Sequence, residues 1–272
     1  MMISVDQNRC KKCGVCITRM KGYCISESEG FPVFDAALCN TCQKCVSICP
    51  YQAITVNGVH PTQITSASAL DKSKVFSLLE RRRSIKKFRK TAIPTEELEL
   101  ILSCASFAPN QNKNLTVNVF SDAISIQEIQ KSAAGFVKRF YRLLFGFPVL
   151  TLFVSLFMPG LKTIKKKMEY GLDKDTLPEN TQVVIVVSGD RRIPVTESSA
   201  HYVLAAMMFF AESTGIGSCL MDSVYLALRL DGKARKLLGI EKDVLGAMVL
   251  GYSDDNIVNI PKGCEVPIKW KR

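Results

Sequence analysis

Apolar residues in the C-terminal part of the chain follow two different patterns. QVVIVVS at 182–188 and VLGAMVLGY at 244–252 are short continuous apolar runs of the kind found in buried strands. Apolar residues recur at helical spacing after Thr95, which is predicted to cap that helix, and again from about Glu197 to Ser213. This mixture predicts an α+β domain in which helices pack on a sheet.

The first sixty residues show a different arrangement, in which short apolar segments alternate with cysteine-rich loops. Ile3–Val5, Pro32–Phe34 and Ala53–Val56 are predicted to be short strands, with a short helix after each cysteine loop. The cysteine spacing that starts at Cys10 recurs 29 residues later from Cys39, which indicates an internal repeat. So few apolar residues make a thin core, and we expect bound metal to supply much of the stability.

A polar, Ser/Thr-rich stretch at 59–74 separates these two parts of the chain. It has no apolar period, so it is predicted to be a connector. We therefore expect a first domain at 1–60, a linker at 61–73 and a second domain at 74–272.

Composition narrows the classes of function. Eight of the 11 cysteines lie before residue 50. No secretion signal opens the chain, so we expect a cytoplasmic protein without disulfides. The net charge of +11 and the basic run RRRSIKKFRK at 81–90 raise the possibility of nucleic-acid binding, with a zinc-bearing nucleic-acid binder as the corresponding function. Only Phe88 is near enough to stack on bases, however, so we expect a solvated charged face and no nucleic-acid partner.

The second cysteine run, CNTCQKCVSICP at 39–50, has the spacing C-x2-C-x2-C-x3-C-P. Three thiolates in one tight loop can hold three corners of a 4Fe-4S cube, and the fourth cysteine of this pattern binds the other cluster. One cluster is therefore predicted to be held by Cys10, Cys13, Cys16 and Cys49. The second would be held by Cys39, Cys42, Cys45 and a cysteine of the first repeat. Two zinc sites are the alternative, although zinc sites usually pair two separated C-x2-C motifs.

The candidate for that last ligand is Cys24. It lies four residues beyond the position that the repeat predicts, which is occupied by Met20. Residues 21–23 therefore belong to an insertion of about one helical turn, which can return the thiol to the same side. With these motifs, residues 1–60 resemble a bacterial-type ferredoxin with two 4Fe-4S clusters.

The basic run also suits a second role, that of a spaced anion clamp. Arg82 and Arg83 offer cations for a phosphate, and Ser84 offers a hydroxyl for a ribityl group. Lys86 could lie against the N1 and O2 edge of a flavin, which gains negative charge on reduction. The segment ERRRSIKKF resembles the opening motif of the nitroreductase family of FMN proteins.

Further motifs extend this resemblance over nearly all of residues 75–272. SFAPNQNKN at 106–114 resembles the family's Ala-Pro loop, which reaches the flavin of the partner subunit, although Asn114-Leu115-Thr116 replaces the usual Gln-Pro-Trp. TGIGSCLMDS at 214–223 resembles the loop that lies along the flavin near N5, and 237–252 matches the helix-turn-strand near the family's C-terminus. The flavin-binding residues implied by these matches are Pro109, Asn110, Gln111, Asn112, Leu220, Met221, Asp222, Ser223 and, on the phosphate, Lys262.

Together the two resemblances imply an α+β fusion of a small ferredoxin-like domain with an FMN-dependent nitroreductase-like domain. Such a protein would be an oxidoreductase that binds two 4Fe-4S clusters and FMN, and a homodimer with FMN at its interface. We expect NAD(P)H or reduced ferredoxin as the donor and nitroaromatic, quinone or similar small electrophiles as acceptors. No catalytic side chain is identified. A non-catalytic electron carrier or redox sensor is the alternative.

The stretch 143–161 contains no charged residue over 19 positions and has basic residues on both sides. Its length approaches that of a membrane span, but Gly146, Pro148 and Pro159 oppose one continuous helix. Attachment to a membrane interface is a second interpretation. We expect instead a dimer contact or a lid over the flavin, without membrane contact.

Overall fold

A computed structural model describes residues 2–20, 22–64, 71–109, 114–147 and 176–261, together with 160, 161, 163, 165, 166, 169, 263 and 266–271. The chain divides into two compact units. The first comprises Met1–Leu70, and the second runs from Asp71 to Arg272 apart from Pro109–Asn114. Both units combine helices and strands, which confirms the predicted α+β class.

The first unit contains two antiparallel strand pairs and two short helices. Strand β1 (Ile3–Val5) pairs with β4 (Ile54–Val56), and β2 (Ile25–Ser28) pairs with β3 (Phe31–Phe34). Helices α1 (Val15–Arg19) and α2 (Lys44–Ser47) each follow one of the cysteine loops. The sequence predicted all of these elements except β2.

Both copies of the repeat begin their cysteine loop in the same way. Asp6 accepts hydrogen bonds from the Asn8 and Cys10 N–H groups, through its side chain and its backbone carbonyl, at 2.9 and 3.0 Å. Asp35 accepts the equivalent bonds from Ala37 and Cys39 at 2.8 and 3.0 Å. These bonds explain why an aspartate stands four residues before the first cysteine of each run.

The second unit is built on a four-stranded antiparallel sheet with the order β5-β6-β8-β7. Its strands are β5 (Thr116–Phe120), β6 (Val183–Gly189), β7 (Gly217–Leu220) and β8 (Asp243–Gly251). The central strands β6 and β8 are the two apolar runs of the sequence. They are buried along nearly their whole length, as a strand covered on both faces must be.

Six described helices, of six to 23 residues, accompany this sheet: α3 (Lys72–Arg81), α4 (Thr95–Ser103), α5 (Ala123–Phe145), α6 (Thr196–Ser213), α7 (Asp222–Leu230) and α8 (Gly232–Leu237). Asp71, Asp122 and Asp231 cap α3, α5 and α8 by accepting a backbone N–H bond. The prediction that Thr95 caps α4 is wrong. Thr95 is the first helical residue, and Pro94 occupies the cap position without a side-chain bond.

Alternate residues of β6 point into two separate cores. Val184 and Val186 pack with Ile129 of α5 and Val224 of α7, whereas Ile185 packs with residues of α4 and α6 on the other face. The period of two in a strand produces this division. No described helix is both long enough and apolar enough to cross a membrane.

Two glycines of this unit should respond in opposite ways to the same substitution. A Cβ on Gly251 of β8 would lie 2.7 Å from Cδ1 of the fully buried Phe88, which has no room to retreat. A Cβ on Gly135, inside α5, would meet no atom within 4 Å. We expect Gly251→Ala to lower the free energy of unfolding by about 1–3 kcal/mol through overpacking.

We expect Gly135→Ala to raise the same quantity by about 0.5–1 kcal/mol, because alanine loses less backbone entropy in a helix. Urea unfolding of both variants, followed by circular dichroism, measures the two changes. Destabilisation of equal size at both positions would contradict the packing described here.

Candidate functional site

The first set of predicted ligands surrounds one cavity in the first unit. Its lining includes Cys10, Cys13, Cys16 and Cys49, with Lys12 beside them. Burial raises the pKa of the Cys16 thiol, and the charges of Cys49 and Cys13 raise it further. The backbone N–H of Ala53 points at Cys49 Sγ from 3.3 Å. The structure thus brings Cys49 of the second repeat to the three cysteines of the first.

The second set also comes together. Burial is the largest cause of the raised pKa of Cys24, followed by the Cys39 thiol and then Cys42. Burial likewise raises the pKa of Cys45 to about 11, with smaller contributions from Cys42, Cys24 and Cys39. Cys24 therefore lies beside the three cysteines of the second loop. It must lie there if each set takes its fourth thiol from the other repeat.

The insertion returns Cys24 to this position. Gly22 has φ +83°, a left-handed conformation that glycine adopts without steric cost, and the Tyr23 N–H bonds to the Met20 carbonyl at 3.1 Å. Met20 itself is buried in the small core with Cys24 and Ile25. The methionine that stands where the repeat predicts a sulfur ligand is thus a packing residue.

Both sets fit inorganic clusters in their chemistry. A 4Fe-4S cube takes one thiolate at each of its irons, whereas a zinc ion takes all of its ligands at one atom. Among the described residues, which include all eight of these cysteines, no group of three or more potential ligands is arranged to hold a single metal ion. A thiol with a raised pKa is protonated at neutral pH, so cluster binding at Cys16, Cys24 and Cys45 has to release protons.

In the second unit, the basic run forms an extended segment along strand β7. The Ile85 N–H bonds to the Ser218 carbonyl at 3.0 Å, and Ser84 forms a parallel bridge with Ser218. Ile85 and Phe88 are buried and hold the segment in the core. Ser84, just before Ile85, and Lys86, just after it, are exposed. Successive side chains of an extended backbone point to opposite sides, so the burial of Ile85 leaves these two polar side chains facing outward.

The other edge of the segment is also fixed. The Phe88 N–H bonds to the Glu179 carbonyl at 2.9 Å, and the Arg89 N–H bonds to the Tyr252 carbonyl at 2.8 Å. Lys87 makes an ion pair with Asp254 at 3.1 Å. Lys86 differs from its neighbour, because its Nζ lies 3.2 Å from the Sγ of Cys219 in β7.

The two arginines of the predicted clamp lie just before this segment. Arg82 follows the last residue of α3, and the Arg83 guanidinium donates a hydrogen bond to the Arg82 carbonyl at 2.6 Å. Both residues are half-buried. Arg82, Arg83 and Ser84 are consecutive residues just after the end of α3, so these three members of the predicted clamp lie close together.

The segment 214–223 differs from its predicted form. The family resemblance implied a loop, but Gly217–Leu220 is strand β7 and helix α7 begins at Asp222. Leu220 is about half exposed, Met221 is buried and Ser223 is half-buried. The strand pairing with the basic run brings this segment and the clamp together, as the prediction of a shared site requires.

Four of the predicted flavin ligands, Asn110, Gln111, Asn112 and Lys262, lie outside the described residues. Pro109 is described and is exposed. Two residues outside the predicted set of ligands adjoin the site, and the resemblance at 214–223 had placed one of them, Cys219, near the flavin. Cys219 contacts Lys86, and the buried Ser218 Oγ has no hydrogen-bond partner within the part of the chain that is described. Both lie inside the motif at 214–223, but nothing in their spacing distinguishes them from core residues.

Comparison with known proteins gives two family matches. The model of the nitroreductase family matches residues 79–252, and the model of a 4Fe-4S binding domain matches residues 31–54. No protein of curated function matches the sequence significantly.

Solved structures with the same fold include two bacterial nitroreductases with bound FMN and one iodotyrosine deiodinase bound to FMN and 3-iodo-L-tyrosine. The enzyme of Bacteroides fragilis is 17% identical, with a TM-score of 0.54, over 71% of this chain and 95% of its own. The enzyme of Desulfitobacterium hafniense is 18% identical, with a TM-score of 0.54, over 71% and 94%. The deiodinase is 19% identical, with a TM-score of 0.54, over 73% and 99%.

Identities this low show only that the fold is shared. The match to the family model adds evidence from the sequence itself. That match covers well over half of the chain, and the 4Fe-4S match lies in the first unit, as the two resemblances predicted. The protein belongs to the nitroreductase family of FMN-dependent oxidoreductases and carries a 4Fe-4S binding domain ahead of the family's own domain.

Proposed function

We propose that this protein passes electrons through two 4Fe-4S clusters to FMN and on to nitroaromatic, quinone or similar electrophilic acceptors. The observation that carries the proposal is the division of eight cysteines into two sets of four, each of which takes three thiols from one repeat and one from the other. When bound, clusters move single electrons, whereas a flavin stores two and can release them together as a hydride equivalent.

The chain's contribution to the clusters is to hold the ligands and limit access of water. Cys16, Cys24 and Cys45 are buried, one or two in each set, and the others are more open. The Ala53 N–H is directed at Cys49 Sγ and helps to orient it. We assign the first cluster to Cys10, Cys13, Cys16 and Cys49, and the second to Cys24, Cys39, Cys42 and Cys45.

For the flavin, we propose that the polar side of the basic run is the binding surface. The FMN-bound nitroreductases of Bacteroides fragilis and Desulfitobacterium hafniense share this fold. In this chain, Ser84 and Lys86 project from a segment that is fixed on both edges, so little conformational entropy is lost when they bind a ligand. A cation at Lys86 would stabilise the negative charge that a flavin gains at N1 and O2 on reduction.

The remaining parts of the proposed site follow from the family resemblance. Arg82 and Arg83 would bind the phosphate with Lys262, and Leu220, Met221, Asp222 and Ser223 would line the ring. We propose a homodimer with FMN at its interface, in which Pro109, Asn110, Gln111 and Asn112 reach the flavin of the partner. NAD(P)H or reduced ferredoxin would be the donor.

Replacement of Cys24 tests the swapped ligand set. We expect Cys24→Ala to lower the iron content of anaerobically purified protein from about eight to about four per chain, because one of two cubes loses a ligand. Cys104→Ala is the matched control, since Cys104 is a partly buried thiol of the second unit and should leave the iron content unchanged. Iron that stays near eight in Cys24→Ala would refute the assignment.

Replacement of Lys86 tests the flavin site. We expect Lys86→Met to lower the two-electron potential of bound FMN by about 30–60 mV, which corresponds to one charged hydrogen bond of about 1.5–3 kcal/mol. Lys87→Met removes the same charge from the next residue, which pairs with Asp254. It should leave the potential within a few millivolts of the wild type. Equal shifts in both variants would show that Lys86 makes no specific contact with the flavin.

The proposed reaction as a whole is tested by spectroscopy under anaerobic conditions. We expect one FMN and about eight irons per chain, a flavin that dithionite reduces, and rapid reoxidation by a nitroaromatic compound or a quinone. A flavin that is reduced but is not reoxidised by any such compound would favour a non-catalytic electron carrier or redox sensor. Protein purified without oxygen that contains neither iron nor flavin would refute the proposal.

A further inference from the structure

The loop that begins at Cys10 carries a lysine whose side chain is held in place. Lys12 lines the same cavity as the first set of cysteines. Its ammonium donates a hydrogen bond to the Glu29 carbonyl at 2.9 Å and lies 4.2 Å from the centroid of the Phe31 ring, a distance that allows a cation–π contact. The stem of the side chain passes over Gly30, where a Cβ would lie 2.9 Å from Lys12 Cδ. The turn between β2 and β3 therefore fixes this positive charge beside the cavity.

No acidic group neutralises the charge of Lys12 in the described part of the chain. Lys12 makes no ion pair with a described carboxylate, and none of the described residues that line the cavity is acidic. Asp6, which precedes the loop, is paired instead with Arg9 at 3.8 Å. A negatively charged group bound by the first set of cysteines would thus have an uncompensated cation at its edge.

The second repeat has no such lysine at the matching position. Thr41 stands 29 residues after Lys12, and both have a left-handed backbone, with φ +59° and +51°. The turn Asn57–Gly58 after β4 matches the turn Glu29–Gly30 after β2, with φ +51° and +79° against +52° and +80°. A Cβ on Gly58 would nevertheless meet no atom within 4 Å. The two repeats share this local fold, but only the first uses it to hold a cation.

Other basic residues do not restore the balance between the two sets. Lys44 lies in a cavity with Cys24 and Cys42, but it is exposed, and its ammonium has no hydrogen-bond or ion-pair partner among the described residues. Water screens a charge that is free to move in this way. Lys11 also lines the first cavity, and its counterpart in the second repeat is the neutral Asn40.

Burial of the cysteines differs in the same direction. The second set contains two buried thiols, Cys24 and Cys45, whereas the first contains one, Cys16. Burial disfavours the more highly charged form of any group. It would therefore oppose the gain of negative charge more strongly in the second set than in the first.

We propose that Lys12 makes the cluster held by Cys10, Cys13, Cys16 and Cys49 the first of the two to be reduced. This inference rests on the proposed function, because it requires both clusters. A bound cluster with its four thiolates is an anion, and the one electron that it takes from the donor increases its negative charge without making or breaking a bond. A cation fixed beside one cluster stabilises the reduced form there. A single electron that enters this unit would therefore rest on the first cluster.

A redox titration of the full-length holoprotein, followed by low-temperature EPR, tests the proposal. We expect the wild type to show two one-electron steps. Lys12→Gln keeps a polar side chain of similar length but removes the charge. It should lower the ratio of reduced to oxidised cluster in the upper step, at a fixed potential, by about threefold to tenfold, where tenfold corresponds to about 59 mV. Because Lys12 is exposed, the effect should shrink as salt is added.

Two further variants locate the effect. Lys12→Arg keeps a cation that can lie over the Phe31 ring, and it should return the upper step to its wild-type position. Lys44→Gln removes the same charge beside the second set, and it should leave the upper step unchanged. About eight irons per chain in every variant would show that both clusters are present and that the unit is folded.

Three results with iron near eight per chain would overturn this inference and leave the proposed function intact. The first is an upper step that Lys12→Gln does not move, and the second is a larger shift of the lower step in that variant. The third is an equal shift of the upper step by Lys12→Gln and Lys44→Gln, which would reflect net charge alone. Wild-type protein without iron would instead refute the proposed function, and this inference with it.

Discussion

The first unit depends on the bonds between its cysteine sulfurs and the metal that they bind. Among its described residues the buried core cluster has seven members, and Cys16, Cys24 and Cys45 are three of them. The strands around this core are three or four residues long. So small a core cannot offset the entropy lost when about sixty residues become ordered. Metal ligation would therefore determine whether this unit folds, as well as what it does.

The second unit does not depend on a bound metal for its core. It has a large apolar core on both faces of the sheet, and the residues of the proposed flavin site lie at the edge of that core. Ile85 and Phe88 are fixed in that core, and a backbone ladder to β7 sets the register of the segment between them. Ser84 and Lys86 receive their orientation from these buried neighbours. The close approach of Ile85 explains Gly217, since a Cβ there would lie 2.6 Å from Ile85 Cγ1. Packing at apolar positions thus positions the polar groups of the proposed flavin site.

Much of this organisation could be predicted from local patterns. The apolar runs predicted β6 and β8, and the cysteine repeat predicted which thiols come together, including Cys24 across an insertion. Strand β2 was missed because its short sequence, ISES, has little apolar character. Strand β7 was expected to be a loop because the sequence at 214–223 resembles a loop of the family, and glycine in this strand permits close contact with another segment. The proximity of Lys86 and Cys219, which are 133 residues apart, depends on tertiary pairing that no spacing rule describes.

The exchange of one cysteine between the two repeats has a consequence for the synthesis of the protein. Cys49 is the last of the eight cysteines to leave the ribosome, and it lies with the set that begins at Cys10. Neither half of the repeat contains a complete set by itself. A nascent chain that stops between the two copies offers the iron–sulfur assembly machinery only incomplete sites. If each proposed cluster takes ligands from both copies, maturation is an all-or-none event for the whole unit, and a gene fragment that encodes one copy would yield neither cluster.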